Sequence, residues 1–271
     1  MDNMINSELA EALKIFENPK FMITCDNAGE PNIVPVMSWT VYDNDTLIMG
    51  DFMICKTRQN LIDGSKKIGL MVLNMDLESW LVQADFENFH TNDEYYEFMA
   101  MTPLFRYNQY TNARSAGVAH AINSSAKFSI SKVNVLLEFL KVKRAKGKVP
   151  LEESDAGNLP LNVFERFSKM AAIKVIAFYN EDGYPSAFPA FGMVPVSSNR
   201  LVMRRSEEKR RGFKLTDGQR VAISLVTLEP AAFQVKGTFR EIDENLGYII
   251  LDRVYACSLP RPGVRVDIPL L

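Results

Sequence analysis

Short apolar runs broken by Gly, Pro, Asn and Asp dominate this chain, and helical stripes are few. Near the start, Leu9, Leu13 and Phe16 fall at i, i+4 and i+7, which is one face of a helix. The strand-like run FMITC follows, then a turn at Asn27-Ala28-Gly29, where glycine supplies the positive φ of a tight hairpin. NIVPVMSWTVY and TLIMGDF read as further strands. Cys55 to Asp63 reads as a short helix with Gly64 at its C-cap, and KIGLMVLN and SWLVQADFENF return to strand.

The same order then recurs. DNAGEPNIVPV around Gly29 returns as NEDGYPSAFPA around Gly183, 154 residues on, and the register holds without a gap to Gly64 and Gly218. Over residues 29–64 there are eight identities, among them Pro31 with Pro185, Pro35 with Pro189 and Met49 with Met203. Average composition would give roughly two, so the chain reads as two copies of one domain. The second copy runs through IKVIAFY, PSAFPAFGMV, RLVMRR, a helix in EKRRGFKLTD, RVAISLVTL and AAFQVKGTFREI. Short strands with one helix inserted predict a small antiparallel barrel in each copy, mainly β with short helices. The expected boundaries are 1–142 for the first barrel, 143–162 for a charged linker and 163–271 for the second. An insertion at 87–127 belongs to the first. Within it DEYYEFMAMT reads as helix and RYNQYTNARSAGVAHAINSS as polar loop, after which KFSISKVNVLLEFL reads as strand.

Composition narrows the function classes. Thirty-one Lys plus Arg against thirty-three Asp plus Glu leave a net charge of −2, so nothing global attracts nucleic acid or anionic lipid. No apolar stretch approaches the roughly 18 residues that span a bilayer, and the N-terminal segment lacks the form of a secretory signal. Cys25, Cys55 and Cys257 are too few and too scattered for a disulfide framework or a zinc site, and they fit a reducing cytoplasm. His90 and His120 are the only histidines, which argues against triad or His-rich metal chemistry. No catalytic side chain and no metal ligand set emerges. Chemistry, if any, falls to a bound cofactor.

The repeated order of strand, Gly-x-Pro hairpin, two strands, basic helix start and two strands resembles the flavin-binding split barrels related to pyridoxamine 5′-phosphate oxidase. Lys209-Arg210-Arg211-Gly212-Phe213-Lys214-Leu215 is similar to that enzyme's Ser-Arg-Lys-Gly-x-x-Leu segment, whose cations hold the FMN phosphate. Gln234-Val235-Lys236 resembles its Gln-Val-Arg strand, whose glutamine contacts the flavin. Cys55-Lys56-Thr57-Arg58-Gln59-Asn60-Leu61 resembles the Lys-Thr segment of small FMN-binding proteins, and Met37-Ser38-Trp39 falls on the strand that edges the ring there. The resemblance implies FMN as cofactor, held by Ser38, Trp39, Lys56, Thr57 and Asn60 in the first copy and by Arg210, Arg211, Lys214 and Gln234 in the second. It also implies that the two tandem antiparallel split β-barrels form an intramolecular pseudo-dimer, with a further homodimer left open. Two half-degenerate sites and one composite site are both open readings. Lys56 and Arg210 stand 154 apart, at expected helix starts where free N–H groups and the helix dipole favour a phosphate.

The tail SLPRPGVRVDIPLL lacks the Arg and His residues that grip pyridoxal phosphate in the oxidase, which speaks against that reaction. The expected protein is a cytoplasmic FMN-dependent oxidoreductase acting on a small molecule or another redox cofactor, selected by the polar loop 104–125 with Tyr110, Arg114 and His120. A barrel that binds or senses a ligand without turnover is the alternative, and haem on His90 or His120 is a third reading. Trp39 and Trp80 read as core residues. The basic run Lys141, Lys143, Arg144, Lys146 and Lys148 reads as a solvated linker without the interleaved aromatics of a single-strand binder.

Overall fold

A computed structural model describes residues 4–52, 54–103, 105, 113–151, 158–227, 229, 231–258 and 261–267. Helix α1 (Ser7–Lys14) precedes strands β1 (Lys20–Cys25), β2 (Pro31–Pro35), β3 (Thr40–Val41) and β4 (Thr46–Gly50). Then come α2 (Lys56–Asp63), β5 (Lys67–Leu73), β6 (Glu78–His90), α3 (Glu94–Ala100), β7 (Ala116–Ser124) and β8 (Phe128–Ser129). After α4 (Lys132–Ala145) and α5 (Leu161–Phe167), the second half holds β9 (Ile173–Tyr179), β10 (Pro185–Pro189), β11 (Val194–Ser197) and β12 (Arg200–Arg204). It ends with α6 (Ser206–Arg210), β13 (Arg220–Thr227), β14 (Ala231–Asp243) and β15 (Leu246–Ala256). The first sheet runs β2-β1-β5-β6-β7-β4-β3 with β8 on β6, the second β10-β9-β13-β14-β15-β12-β11. Position for position these are one topology written twice, antiparallel in every pairing between named strands.

The repeat extends to the cores. Leu9 and Leu13 on α1, Met22, Leu47, Met49 and Leu61 fill one barrel, and Val163 and Phe167 on α5, Ile176, Leu201, Met203 and Leu215 fill the other at the same repeat positions. The hairpin glycines Gly29 and Gly183 have φ of 76° and 82°, as a turn that only glycine enters without strain requires. Trp39 and Trp80 are both buried in the first core.

Strand β1 is buried along its whole length because each of its faces meets a core. Met22 points into its own barrel, while Phe21 and Ile23 join Ile33, Met71 and Leu81 against Val175, Ala177, Ala187 and Ala222 of the other half. The two split barrels thus pack face to face as a pseudo-dimer within one chain. Gly69 marks how closely: a Cβ there would lie 2.4 Å from the carbonyl oxygen of Pro185 across the interface.

Four local expectations are corrected. Residues 132–145 are a helix: Ser131 caps it by accepting from Asn134 N–H at 3.2 Å, and Val135, Phe139 and Val142 bury one stripe, so helical period overrides the β-branched valines. Residues 116–124 are strand β7, whose small side chains fit beside Met49 and Phe86 at Gly117; residues 104 and 106–112 of the expected selecting loop, with Tyr110, lie outside the described residues. The expected linker 143–162 begins inside α4, continues as a 3-10 turn at Lys146–Lys148 and ends in α5, with residues 152–157 outside the described set. Lys143 and Arg144 sit in the last turn of α4, where cations complement the dipole. Finally, the second-copy helix stops at Arg210 because the chain turns through Gly212 at φ 72°, so Arg210 ends a helix where Lys56 begins one.

Candidate functional site

Three pieces of the first barrel diverge beside the interface: the chain beyond β2, the end of β4 at Gly50, and the start of α2 at Lys56. Ser38 pins two of them, its hydroxyl accepting from Gly50 N–H at 3.1 Å and lying 3.3 Å from Gly50 O. Gln234 on β14, Tyr255 on β15, and Cys257 and Gly263 beyond β15 complete the wall from the second barrel. Together they enclose a cavity of about 530 Å³, inside the range of about 300–1,000 Å³ that small-molecule sites occupy.

One end of the cavity is polar. Lys56 is the first residue of α2, and Cys55 before it gives the first-turn N–H groups no side-chain acceptor. The carboxylates nearest Lys56, on Asp26 and Glu30, are both 3.7 Å from its ammonium, contacts too loose to commit its protons. A helix N-terminus with an adjoining lysine suits an anion. Beneath it lies a buried network spanning both barrels. Gln234 Nε2 donates to Asn32 Oδ1 at 3.1 Å and to Ile33 O at 2.6 Å; Asn32 Nδ2 donates to Thr57 Oγ1 at 2.9 Å; and Asn60 Nδ2 donates to Thr24 Oγ1 at 3.0 Å. The remainder of the wall, Val34, Pro35, Val36, Met37, Phe52 and Ile54, is apolar and would face a flat ring without competing for it.

Glu30, just past the first hairpin turn, reaches across the interface into a cluster of cations. Lys236 lies 3.0 Å and Arg220 2.7 Å from its carboxylate, and Arg253 also donates to it. Burial alone would raise the Glu30 pKa, but Arg220, Lys236 and Arg253 outweigh it and hold the carboxyl at about 2. Burial lowers Lys236 to about 8 against the pull of Glu30, and Lys56 adds to the lowering. The cluster ties Glu30 of the first barrel to cations on β13, β14 and β15 of the second.

Of the residues the resemblance pointed to, Ser38, Lys56, Thr57 and Gln234 line this one cavity. Asn60 lies under it, in the Thr24 network. Trp39 faces a second, adjoining cavity. Arg210, Arg211 and Lys214 do not join them. Arg210 reaches Glu207 and the carbonyl of Ser129, Arg211 is buried on Glu207 and Ser79, and Lys214 is exposed. His90 pairs with Asp93 and Glu87, and His120 with Glu87, so neither histidine lines the cavity. Sequence reasoning missed Asn32, Tyr255, Cys257 and the Glu30 cluster. Only Asn32 and Glu30 carried a local signal, as polar residues in and beside a hairpin strand; the others come from the second half, 190 or more residues after Glu30 in the chain. Among the described residues no group of His, Cys, Asp and Glu could hold a metal, and no helix is long and apolar enough to cross a membrane.

No protein-family model and no curated protein matches the chain. Solved structures do match, and the three that follow each cover just under half of it. An FMN-binding protein from Syntrophomonas wolfei is 18% identical over 45% of this chain and 85% of its own, with a TM-score of 0.39. HupZ from Group A Streptococcus is 23% identical over 48% and 96%, at 0.37. A candidate pyridoxamine 5′-phosphate oxidase from Lactobacillus delbrueckii is 24% identical over 47% and 95%, at 0.36. All three are split barrels of the pyridoxamine 5′-phosphate oxidase-like kind. The likeness is one of fold.

Proposed function

We propose that the chain binds one FMN, in the cavity of about 530 Å³ between the barrels, and that it is a flavin-dependent oxidoreductase for a small molecule or a second redox cofactor. The observation that carries this is the union of Lys56 at an uncapped helix start with Gln234 from the other barrel on one apolar cavity. Lys56 and the first turn of α2 would take the phosphate, and the apolar strip from Val34 to Met37 would take the ring. Gln234, held by Asn32, would fix the ring's polar edge from the second barrel. This is a single composite site rather than two degenerate ones, in a chain whose two halves arose by duplication. FMN when bound supplies hydride or electron transfer. Among the described residues the cavity wall contains no Asp, Glu or His, and the protein's part in this reading is to bind, orient and exclude water.

The test is visible absorbance of the purified protein after adding FMN and removing the excess by gel filtration. Retained flavin bands, lost in Lys56→Ala and kept in Arg210→Ala, are expected. A protein that retains no flavin refutes the reading. Adding NADH or NADPH anaerobically then separates the two roles: bleaching of the bands supports an oxidoreductase, and flavin that stays oxidised with every donor tried supports a non-catalytic ligand-binding protein.

A further inference from the structure

Beside the FMN cavity lies a second one of about 460 Å³, sharing Phe16, Met37 and Ser38 with it and extending under the end of α1 to Lys20, Trp39 and Thr102. Two of the side chains that line it, Lys20 and Trp39, carry donors with capacity to spare. Lys20 is 1% exposed; its ammonium donates to Ile15 O at 2.9 Å and Met37 O at 3.2 Å, which leaves a third N–H, and no carboxylate lies within ion-pair distance among the described residues. Trp39 is fully buried and its indole N–H has no partner among the described residues. A buried donor without an acceptor is destabilising, so such a pair in a cavity wall favours a ligand that brings acceptors.

The second half shows what fits. Lys174 is the repeat counterpart of Lys20: Ala190 N–H donates to Lys174 O at 2.8 Å as Val36 N–H does to Lys20 O, and Lys174 donates to Lys169 O as Lys20 does to Ile15 O, five residues back in each case. There the counterpart space is filled by α4. The Phe139 ring lies 5.8 Å from Lys174 Nζ, and Val142 sits against Gly192, the counterpart of Ser38. The chain therefore supplies an aromatic ring to one buried lysine and leaves the other facing an open cavity.

We propose that this second cavity binds a small aromatic carboxylate, its ring where Phe139 lies in the other half and its carboxylate on the N–H groups of Lys20 and Trp39. At the rim Lys14 is paired with Glu11 at 2.8 Å, and Glu17 is a further carboxylate. Burial lowers the Lys20 pKa to about 8 despite Glu17, which leaves it charged near neutrality. The site goes beyond the FMN reading, because its donors belong to it whether or not flavin binds.

Benzoate titrated into flavin-free, full-length protein, followed by calorimetry and saturation-transfer NMR, tests this. Binding of one benzoate per chain is expected, at least tenfold tighter than cyclohexanecarboxylate or benzyl alcohol. Trp39→Phe, which keeps a ring and removes the N–H, should weaken it at least threefold, and Thr102→Trp, which fills the cavity from its rim, should abolish it. FMN retention by Thr102→Trp separates this site from the flavin site. No benzoate binding at millimolar concentration, or equal binding by the unaltered chain and Thr102→Trp, overturns the proposal.

Discussion

The two halves share a topology and differ in what fills the space beside their second strand. In the first half that space is open, about 530 Å³ toward the second barrel with about 460 Å³ adjoining it. In the second, only about 10 Å³ remains between Pro189–Met193, Arg204 and α4. Helix α4 accounts for the difference. Glu138 accepts from Ser206 Oγ at 2.7 Å and pairs with Arg204 Nε at 2.9 Å, and Val142 and Phe139 pack on β11 and β12. The polar floor has diverged in step. Thr24, Asn32, Thr57 and Asn60 have Phe178, Ser186, Arg211 and Lys214 at the repeat positions, and Gln234 has Leu81. Ser186 is left with no partner for its hydroxyl among the described residues. One half is open at the place where the other is packed as core.

The largest effect that would break this comparison is loss of the plug. Phe139→Ala should destabilise the protein by about 3–5 kcal/mol, because it empties a packed ring position. Phe16→Ala, in the open half and 46% exposed, should cost less than about 1 kcal/mol. Urea unfolding of both variants measures the contrast. Equal losses would mean that α4 is an ornament on the surface and not a core element.

Next comes the joint between the halves. Glu30→Gln should cost roughly 3 kcal/mol, since it leaves Lys236 buried without its counter-charge. The same carboxylate gives a pH signature. Its folded pKa is about 2 against an ordinary 4.5, so its contribution is fully present above pH 4.5 and fades as pH falls toward 2. Stability measured across that window should flatten in the variant.

The same comparison explains how much of the molecule could be seen in its sequence. The barrel order was legible because hairpin Gly-x-Pro and strand periodicity are local, and they occurred twice. Lys56 and Thr57 stand at the helix start that their motif predicts, whereas Ser38, expected on a strand, lies in the turn between β2 and β3. Arg210 and Arg211 were not legible, since their motif depends on where α6 ends, and Gly212 ends it after Arg210. Nor was α4: Val133, Val135 and Val142 are strand-favouring residues, and only the surrounding barrel shows that Val135, Phe139 and Val142 share a buried face. Asn32 waits on Gln234, 202 residues on, and no local pattern couples two such distant amides.

A subtler substitution sharpens the contrast at one position. Gly192→Ser gives the second half the residue that the first has at Ser38. A Cβ there would meet Val142 Cγ2 at 3.0 Å and the Glu138 carbonyl at 3.2 Å, so overpacking should cost about 1–3 kcal/mol. The reciprocal Ser38→Gly removes one hydrogen bond to Gly50 N–H and should cost about 1 kcal/mol. Thermal unfolding of the pair would show whether a serine is tolerated only where the pocket is open.

The smallest stability effects should come from the two cations at one repeat position, and there the comparison turns on ligand rather than fold. Lys56 is 36% and Arg210 42% exposed at the side chain, with ion-pair distances of 3.7 Å and 3.3 Å, so alanine at either should shift stability by no more than about 0.5 kcal/mol. Their effects on FMN should separate completely. Lys56 opens an eight-residue helix beside the open cavity, and removing it takes a charge-assisted donor from the phosphate, which corresponds to at least a tenfold weaker Kd. Arg210 closes a five-residue helix beside a filled pocket and should leave FMN affinity unchanged. Fluorescence titration with FMN reads both. If Arg210→Ala weakened binding as much as Lys56→Ala, α4 would have to leave the second pocket in solution, and the two halves would be alike after all.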